Sequence, residues 1–297
     1  MRQLAFAASC AWVLALSSVP ASAQSPRVST HPDSVRFVTS DVVRFWEVVD
    51  QATPENLAGL LQREYIDRGS EGLKGFVTGR IVSGEALARA FQEQRSRYEE
   101  ARARSLQIAS MERAIRAPFY ALEFLYPEAV FPTVYFVVGR LNSGGTVSDQ
   151  GLLIGAEMYG GSEMLPYIVA HELIHFQQGS IPDSARTLLA QSIREGSADF
   201  VGELISGKHI NTQAHEYGQA HEEELWVEFQ ERMARRDFGG WLYGDPPGER
   251  PSDLGYFMGY QIAQAYYDRA PDKKVAIREI LTVQNFERFL ADSGYRP

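Results

Sequence analysis

The sequence predicts an α+β fold that is mostly α, and three observations carry the prediction. Helical apolar spacing runs from residue 41 to about 125 and resumes from Gly161 onward. Between these stretches lie two short β-branched, apolar runs, TVYFVVG (133–139) and GLLIGAE (151–157). No linker separates the parts, so helices, a small sheet and more helices form one unit. Within it, 24–132 reads as an N-terminal helical region, and 133–297 carries the sheet and the later helices.

The elements follow in order. Arg2, the apolar run Leu4 to Leu16 and Ala21-Ser22-Ala23 match a signal peptide over 1–23, cleaved after Ala23. The chain is therefore expected to be exported, to the periplasm or beyond the cell. The single cysteine, Cys10, lies in this segment, so a mature chain would have no disulfide, and any metal site must use His, Asp and Glu. Gln24 to Asp33 is polar with two prolines and reads as a disordered lead-in. Asp41 is placed to cap a first helix. Thr53-Pro54-Glu55 opens a second, running to about Arg68. Gly69 to Gly84 is glycine-rich and reads as a loop with a short helical piece. Glu85 to Leu125 is helical, with Pro118 expected to break or kink it. The two strands are joined by the polar connection NSGGTVSDQ. Breaks at Gly207, Gly239-Gly240 and Pro246-Pro247-Gly248 divide the helices that follow.

Charge narrows the partners. The net charge of −9 leaves no basic surplus for nucleic acid or anionic membranes. It leaves a metal cation, or a neutral or basic substrate. No second run of 18 apolar residues occurs, so no membrane anchor is expected after signal cleavage.

The sharpest motif is HELIHFQQ (171–178). His171 and His175 are four apart, which on a helix puts both imidazoles on one face, one turn apart. Glu172 lies beside them, where it can face a water on a shared cation. Two core histidines satisfied by backbone or carboxylate would give the same letters, so a third ligand decides. A histidine six residues after His175 is excluded, because that position is Ile181 and the accompanying glycine position is Gln178. Glu195, twenty residues after His175 in IREGSADF, is the better candidate. Ile181-Pro182-Asp183 supplies a turn and the start of a second helix that can pack antiparallel to the first. Asp199, one turn beyond Glu195, is placed to hold the other nitrogen of His171. Zn²⁺ suits a His₂Glu donor set, and Mn²⁺, Co²⁺ or Fe²⁺ can occupy the same set.

HELIH, nineteen intervening residues and EGSAD resemble the gluzincin metallopeptidases, the thermolysin-like zinc proteases. The resemblance covers about residues 160 to 205. It implies a zincin-like core, with His171, His175 and Glu195 on zinc, Glu172 as general base and Asp199 behind a ligand histidine. More loosely, residues 130 to 295 are similar to a family of bacterial proteins described as predicted zinc-dependent proteases of otherwise unknown function. Both imply peptide-bond hydrolysis, with a peptide or protein as substrate.

A donor for the developing oxyanion is also needed. Tyr260 and Tyr256, one turn apart in LGYFMGYQIAQAYY, lead the candidates, followed by Tyr217, His215 and His221. Gly255 and Gly259 repeat the same spacing and permit close helix packing. In gluzincins an edge strand before the metal helix pairs with substrate; GLLIGAE, just before that helix, is expected to line the cleft, and the strand order decides which strand is the edge. Two other readings use the same site. One is a zinc amide hydrolase acting on cell-wall material; the other is a catalytically silent, metal-stabilised binding protein, for which Glu172 would have no purpose.

Overall fold

The computed structural model describes residues 28–243, 248 and 250–297. The expected signal peptide, with Cys10, lies outside these residues. The described chain starts with β1 (Val28–Ser29) and β2 (Phe37–Val38). Six helices follow: α1 (Ser40–Gln51), α2 (Leu57–Leu60), α3 (Glu71–Phe76), α4 (Gly84–Glu93), α5 (Arg95–Ser105) and α6 (Glu112–Leu125). Next come β3 (Phe131–Pro132), β4 (Val134–Val137), β5 (Gly145–Ser148) and β6 (Gly151–Gly155). The later helices are α7 (Ala156–Tyr159), α8 (Leu165–Gln177), α9 (Leu188–Ser206), α10 (Thr212–Ala220) and α11 (Glu222–Arg232). α12 (Leu254–Arg269), α13 (Lys273–Leu281) and α14 (Phe286–Ser293) complete the fold. The architecture is α+β and mostly α, with a helical C-terminal part.

The N-terminal elements depart from expectation in their details. The lead-in is ordered from residue 28, because β1 pairs antiparallel with β3. Asp41 does not cap α1, which starts one residue earlier. Its buried carboxylate instead accepts the Ser70 N–H (3.1 Å) and an Arg44 N–H (3.1 Å), tying α1 to the start of α3. Thr53 to Asn56 is a turn, with Thr53 N–H on Asn56 Oδ1 (2.8 Å), so α2 starts at Leu57 and passes into a π-helical stretch, Leu61–Ile66. The segment 84–125 divides into α4, α5 and α6 rather than one helix. Pro118 does not stop α6; its ring is buried on the core face, and that packing offsets the lost backbone bond.

The main sheet has the order β2-β4-β6-β5. β2, β4 and β6 are parallel, and β5 is antiparallel to β6. β5 lies inside the stretch read as a polar connection. Its residues are all half-buried, so it lacks the apolar run that marks an interior strand. β6 is buried throughout, between α3 and α8, as parallel strands covered on both faces are. Two buried tyrosines fasten the N-terminal helices to the end of β4. Tyr65 donates to the Val138 carbonyl (2.9 Å) and Tyr98 to the Gly139 carbonyl (2.7 Å).

α9 begins at a Thr187 cap, whose Oγ1 accepts the Ala190 N–H (3.2 Å). The predicted start, Ile181-Pro182-Asp183, instead leads into a short 3₁₀ turn, Asp183–Ala185. The free N–H groups of Leu188 and Leu189 donate to the carbonyls of Arg235 (2.7 Å) and Met233 (2.8 Å). α9 is nearly all buried, packed against α8 on one side and α12 on the other. At the α9–α12 crossing, a Cβ on Gly259 would strike the Ser192 carbonyl, and one on Gly196 would strike the Gly259–Tyr260 backbone.

Because the obstacle at Gly259 is backbone, which cannot swing aside, Gly259→Ala is expected to lower stability by about 1–3 kcal/mol in chemical denaturation. A value near zero would mean that the helices are not this close. A second prediction concerns Glu157, which is buried. Burial pushes its pKa up from 4.5 to about 7, partly offset by backbone hydrogen bonds. Its protonated form is thus favoured by folding, so its contribution holds at low pH and is lost as pH rises from about 4.5 to about 7. Glu157→Gln should remove that slope; parallel stability–pH curves for the two proteins would refute it.

Candidate metal centre

α8 carries His171, Glu172 and His175 on consecutive turns, and α9 brings Glu195 and Asp199 against them. His175 Nε2 lies 2.9 Å from Glu195 Oε2, and His171 Nε2 lies 3.8 Å from the same oxygen. One donor atom from each of the three residues lies within 4.8 Å of the others, and all three side chains are buried. The second nitrogen of each ring is also engaged. His171 Nδ1 lies 2.7 Å from Asp199 Oδ1. His175 Nδ1 donates to Gln178 Oε1 (2.8 Å), while Gln178 Nε2 donates to the Arg194 carbonyl (2.9 Å), which fixes the amide's orientation. A partner for the Nδ1 proton aims Nε2 at the shared site, the orientation a metal ligand needs once a cation takes the place of the Nε2 proton. The donor set therefore fits a divalent cation such as zinc.

The other oxygen of Glu195, Oε1, accepts from the Tyr243 hydroxyl and from Gln191 Nε2 (3.1 Å). Gln191 also donates to the Tyr243 oxygen (2.7 Å). Burial alone would raise the Glu195 pKa. The charges of His175 and His171, with hydrogen bonds from His175 and Tyr243, outweigh it and hold the carboxyl well below its usual range. Burial alone would lower the His171 pKa, but Asp199, Glu172 and Glu195 raise it to about 9. Glu172 is pushed upward by burial, offset in part by His171, His175 and Arg80.

His171, Glu172, His175, Glu195 and Tyr243 border a cavity of about 380 Å³. One wall is strand β5, through Gly145, Thr146 and Val147. GLLIGAE, expected to line the cleft, is interior and does not reach the cavity; the edge strand there is β5. A Cβ at Gly145 would collide with the Glu172 carboxylate and displace it, so the glycine lets β5 come close to that side chain.

The tyrosine candidates separate. Tyr256 lines the cavity, its ring stacked on His171 with centroids 6.3 Å apart. Tyr260 does not line it. One turn further along α12, its hydroxyl donates to Glu203 (2.8 Å), and its ring packs on Phe200, His209 and His215. The α12 axis crosses α9 at Gly259, so residues one turn apart fall on opposite sides of the crossing. Tyr217 and His221 stack on each other away from the cavity. Tyr243 carries no distinguishing sequence signal, yet it touches Glu195 directly. Its backbone is left-handed (φ 57°), and its N–H donates to the carboxylate of Asp253 (3.2 Å), the residue before α12. Gln191 could have been found from sequence, since it stands one turn before Glu195 on the same helix.

Asp199, His209 and His215 form a second group of converging donor atoms. Burial lowers the pKa of both histidines, that of His215 to about 4. His209 Nδ1 accepts the Asn211 N–H (2.9 Å), which places its proton on Nε2. Asp199 Oδ2 accepts from Asn211 Nδ2 (2.8 Å), and Nε2 of His209 and of His215 has no hydrogen-bond partner among the described residues.

A family model described as predicted Zn-dependent protease (DUF2268) matches residues 138–286. The chain belongs to this family. The DUF2268 match spans α8, α9 and α12, and it takes in every residue of the centre described above except Arg80. No curated protein and no solved structure matches the chain.

Asp199→Asn is expected to weaken zinc binding by roughly 10- to 100-fold in competition with a chelator. Unchanged affinity would show that Asp199 does not orient His171.

Proposed function

We propose that this chain is an exported zinc-dependent peptidase, with His171, His175 and Glu195 as ligands. The observation that carries the reading is the convergence of two imidazole nitrogens and one carboxylate oxygen beside a cavity bounded by a strand edge. When bound there, zinc supplies Lewis acidity, acidifying water and polarising a carbonyl. Glu172, level with the histidines and facing β5 at Gly145, takes a proton from the attacking water on its carboxylate. It later delivers that proton to the leaving amine. Asp199 and Gln178 hold the two imidazoles in place. Tyr256 has no hydrogen-bond acceptor among the described residues, so its hydroxyl is free to donate to the carbonyl oxygen as charge builds there. Tyr243 holds Glu195 and lines the same cavity.

β5 offers an open strand edge along which an extended peptide can pair, backbone to backbone. That edge favours a peptide over other amides, including those of cell-wall material. Glu172, buried and turned to the cavity, argues against a silent binding protein. Export rests on the first 23 residues. Among the described residues no helix is long and apolar enough to cross a membrane.

Elemental analysis should find about one zinc per chain in the wild type and much less in Glu195→Ala. Glu172→Gln should keep its zinc yet cleave peptides at least ~100-fold more slowly. No zinc in the wild type, even after zinc is supplied, would end the reading, as would undiminished cleavage by Glu172→Gln.

A further inference from the structure

We propose that the cavity recognises a carboxylate on the substrate through Arg80, Arg186 and Arg194. This rests on the peptidase reading only for the name of the substrate; the charge pattern stands by itself. The chain as a whole carries −9, yet three guanidinium side chains line this one cavity. Among the described residues, none of the three forms an ion pair with a carboxylate. The only carboxylates in the lining are Glu172 and Glu195. Both oxygens of Glu195 are engaged, by His175, Gln191 and Tyr243. Glu172 is buried and faces the two histidines. The lining is therefore net positive, and a divalent cation adds to that.

The arginines are placed rather than loose. Arg80 lies in the irregular turn Val77–Ile81, between the left-handed residues Gly79 (φ 78°) and Val82 (φ 73°). Its carbonyl accepts from Arg140 Nε (2.6 Å) and Asn142 Nδ2 (3.2 Å), which pins the backbone and leaves the guanidinium to the cavity. Arg194 is fastened by a bond from Nη1 to the Gly179 carbonyl (2.6 Å). Arg186 lies over the Phe238 ring, 5.9 Å from its centroid. The charge of Arg80 acts on Glu172 and that of Arg186 on Tyr243, so positive charge flanks the metal ligands on two sides. Guanidinium groups bind carboxylates in a planar, two-point geometry that selects them over isosteric amides. The carboxylate can come from an acidic side chain near the scissile bond or from the peptide's C-terminus.

The test uses fluorescein-labelled, alanine-rich octapeptides that carry one Glu or one Gln and end in a free acid or an amide. Binding is read by fluorescence anisotropy on the full chain carrying Glu172→Gln, supplied with zinc; cleavage is read on the wild type. Peptides with the recognised carboxylate should bind roughly tenfold tighter than their amide counterparts. A preference that follows the side chain identifies an acidic residue, and one that follows the end identifies the C-terminus. The preference should shrink several-fold when Arg80→Gln or Arg186→Gln is added, and with rising salt. Arg80→Lys should retain part of it, and the exposed Arg186 provides a variant that leaves the fold intact. Equal binding of acid and amide peptides, or no binding of any, overturns the proposal. Carboxylate preference without cleavage by the wild type would instead remove the peptidase reading and leave this one standing.

Discussion

Two helices that are almost wholly buried must carry charged groups toward each other, and the rest of the structure accommodates that. α8 and α9 pack antiparallel in the core, yet they place two imidazoles and two carboxylates in the contact. A buried carboxylate without partners is costly, and a half-satisfied network is worse than an apolar one. Glu195 is satisfied on both oxygens, and each histidine is held at its second nitrogen. The supporting groups come from several elements: Gln178 from the end of α8, Gln191 from α9, and Tyr243 from the segment before α12. The close α9–α12 crossing at Gly196 and Gly259 places this last segment and Tyr256 within reach of the centre.

The N-terminal helices serve both packing and the cavity. Tyr65 and Tyr98 bind the carbonyls that end β4, and the residues of α1 to α6 share one apolar core with the sheet and the later helices. The same region supplies Arg80 from a turn outside the family-matched residues. Net charge suggested a neutral or basic substrate. At the cavity the local field has the opposite sign to the whole molecule, because charges at contact distance outweigh a dispersed surface excess screened by water and salt.

HELIHFQQ and EGSAD made much of the centre legible without coordinates. The i, i+4 spacing of a helix fixes which side chains share a face, so His171 with His175, and Glu195 with Asp199, were paired by local geometry alone. The same rule could not separate Tyr256 from Tyr260, since both lie on one face and only the crossing point of α12 tells them apart. It also missed β5, because an edge strand bordering a polar cavity has no apolar alternation to show. The capping expectations at Asp41 and Pro182 erred for a related reason. A carboxylate or a turn suits a helix start locally, but Asp41 is drawn to Ser70 and Arg44, and α9 starts where Thr187 and the carbonyls of Met233 and Arg235 can satisfy its N–H groups.

By itself, then, the sequence determined the fold class, the two helices of the centre and the side chains they present to each other, because these follow from periodicities of a few residues. Tertiary structure decided which strand forms the open edge, which tyrosine faces the cavity, and that Arg80 and Tyr243 meet around Glu172 and Glu195. Those facts depend on contacts between residues far apart in the chain, set by how helices cross and strands order, and no local spacing encodes them.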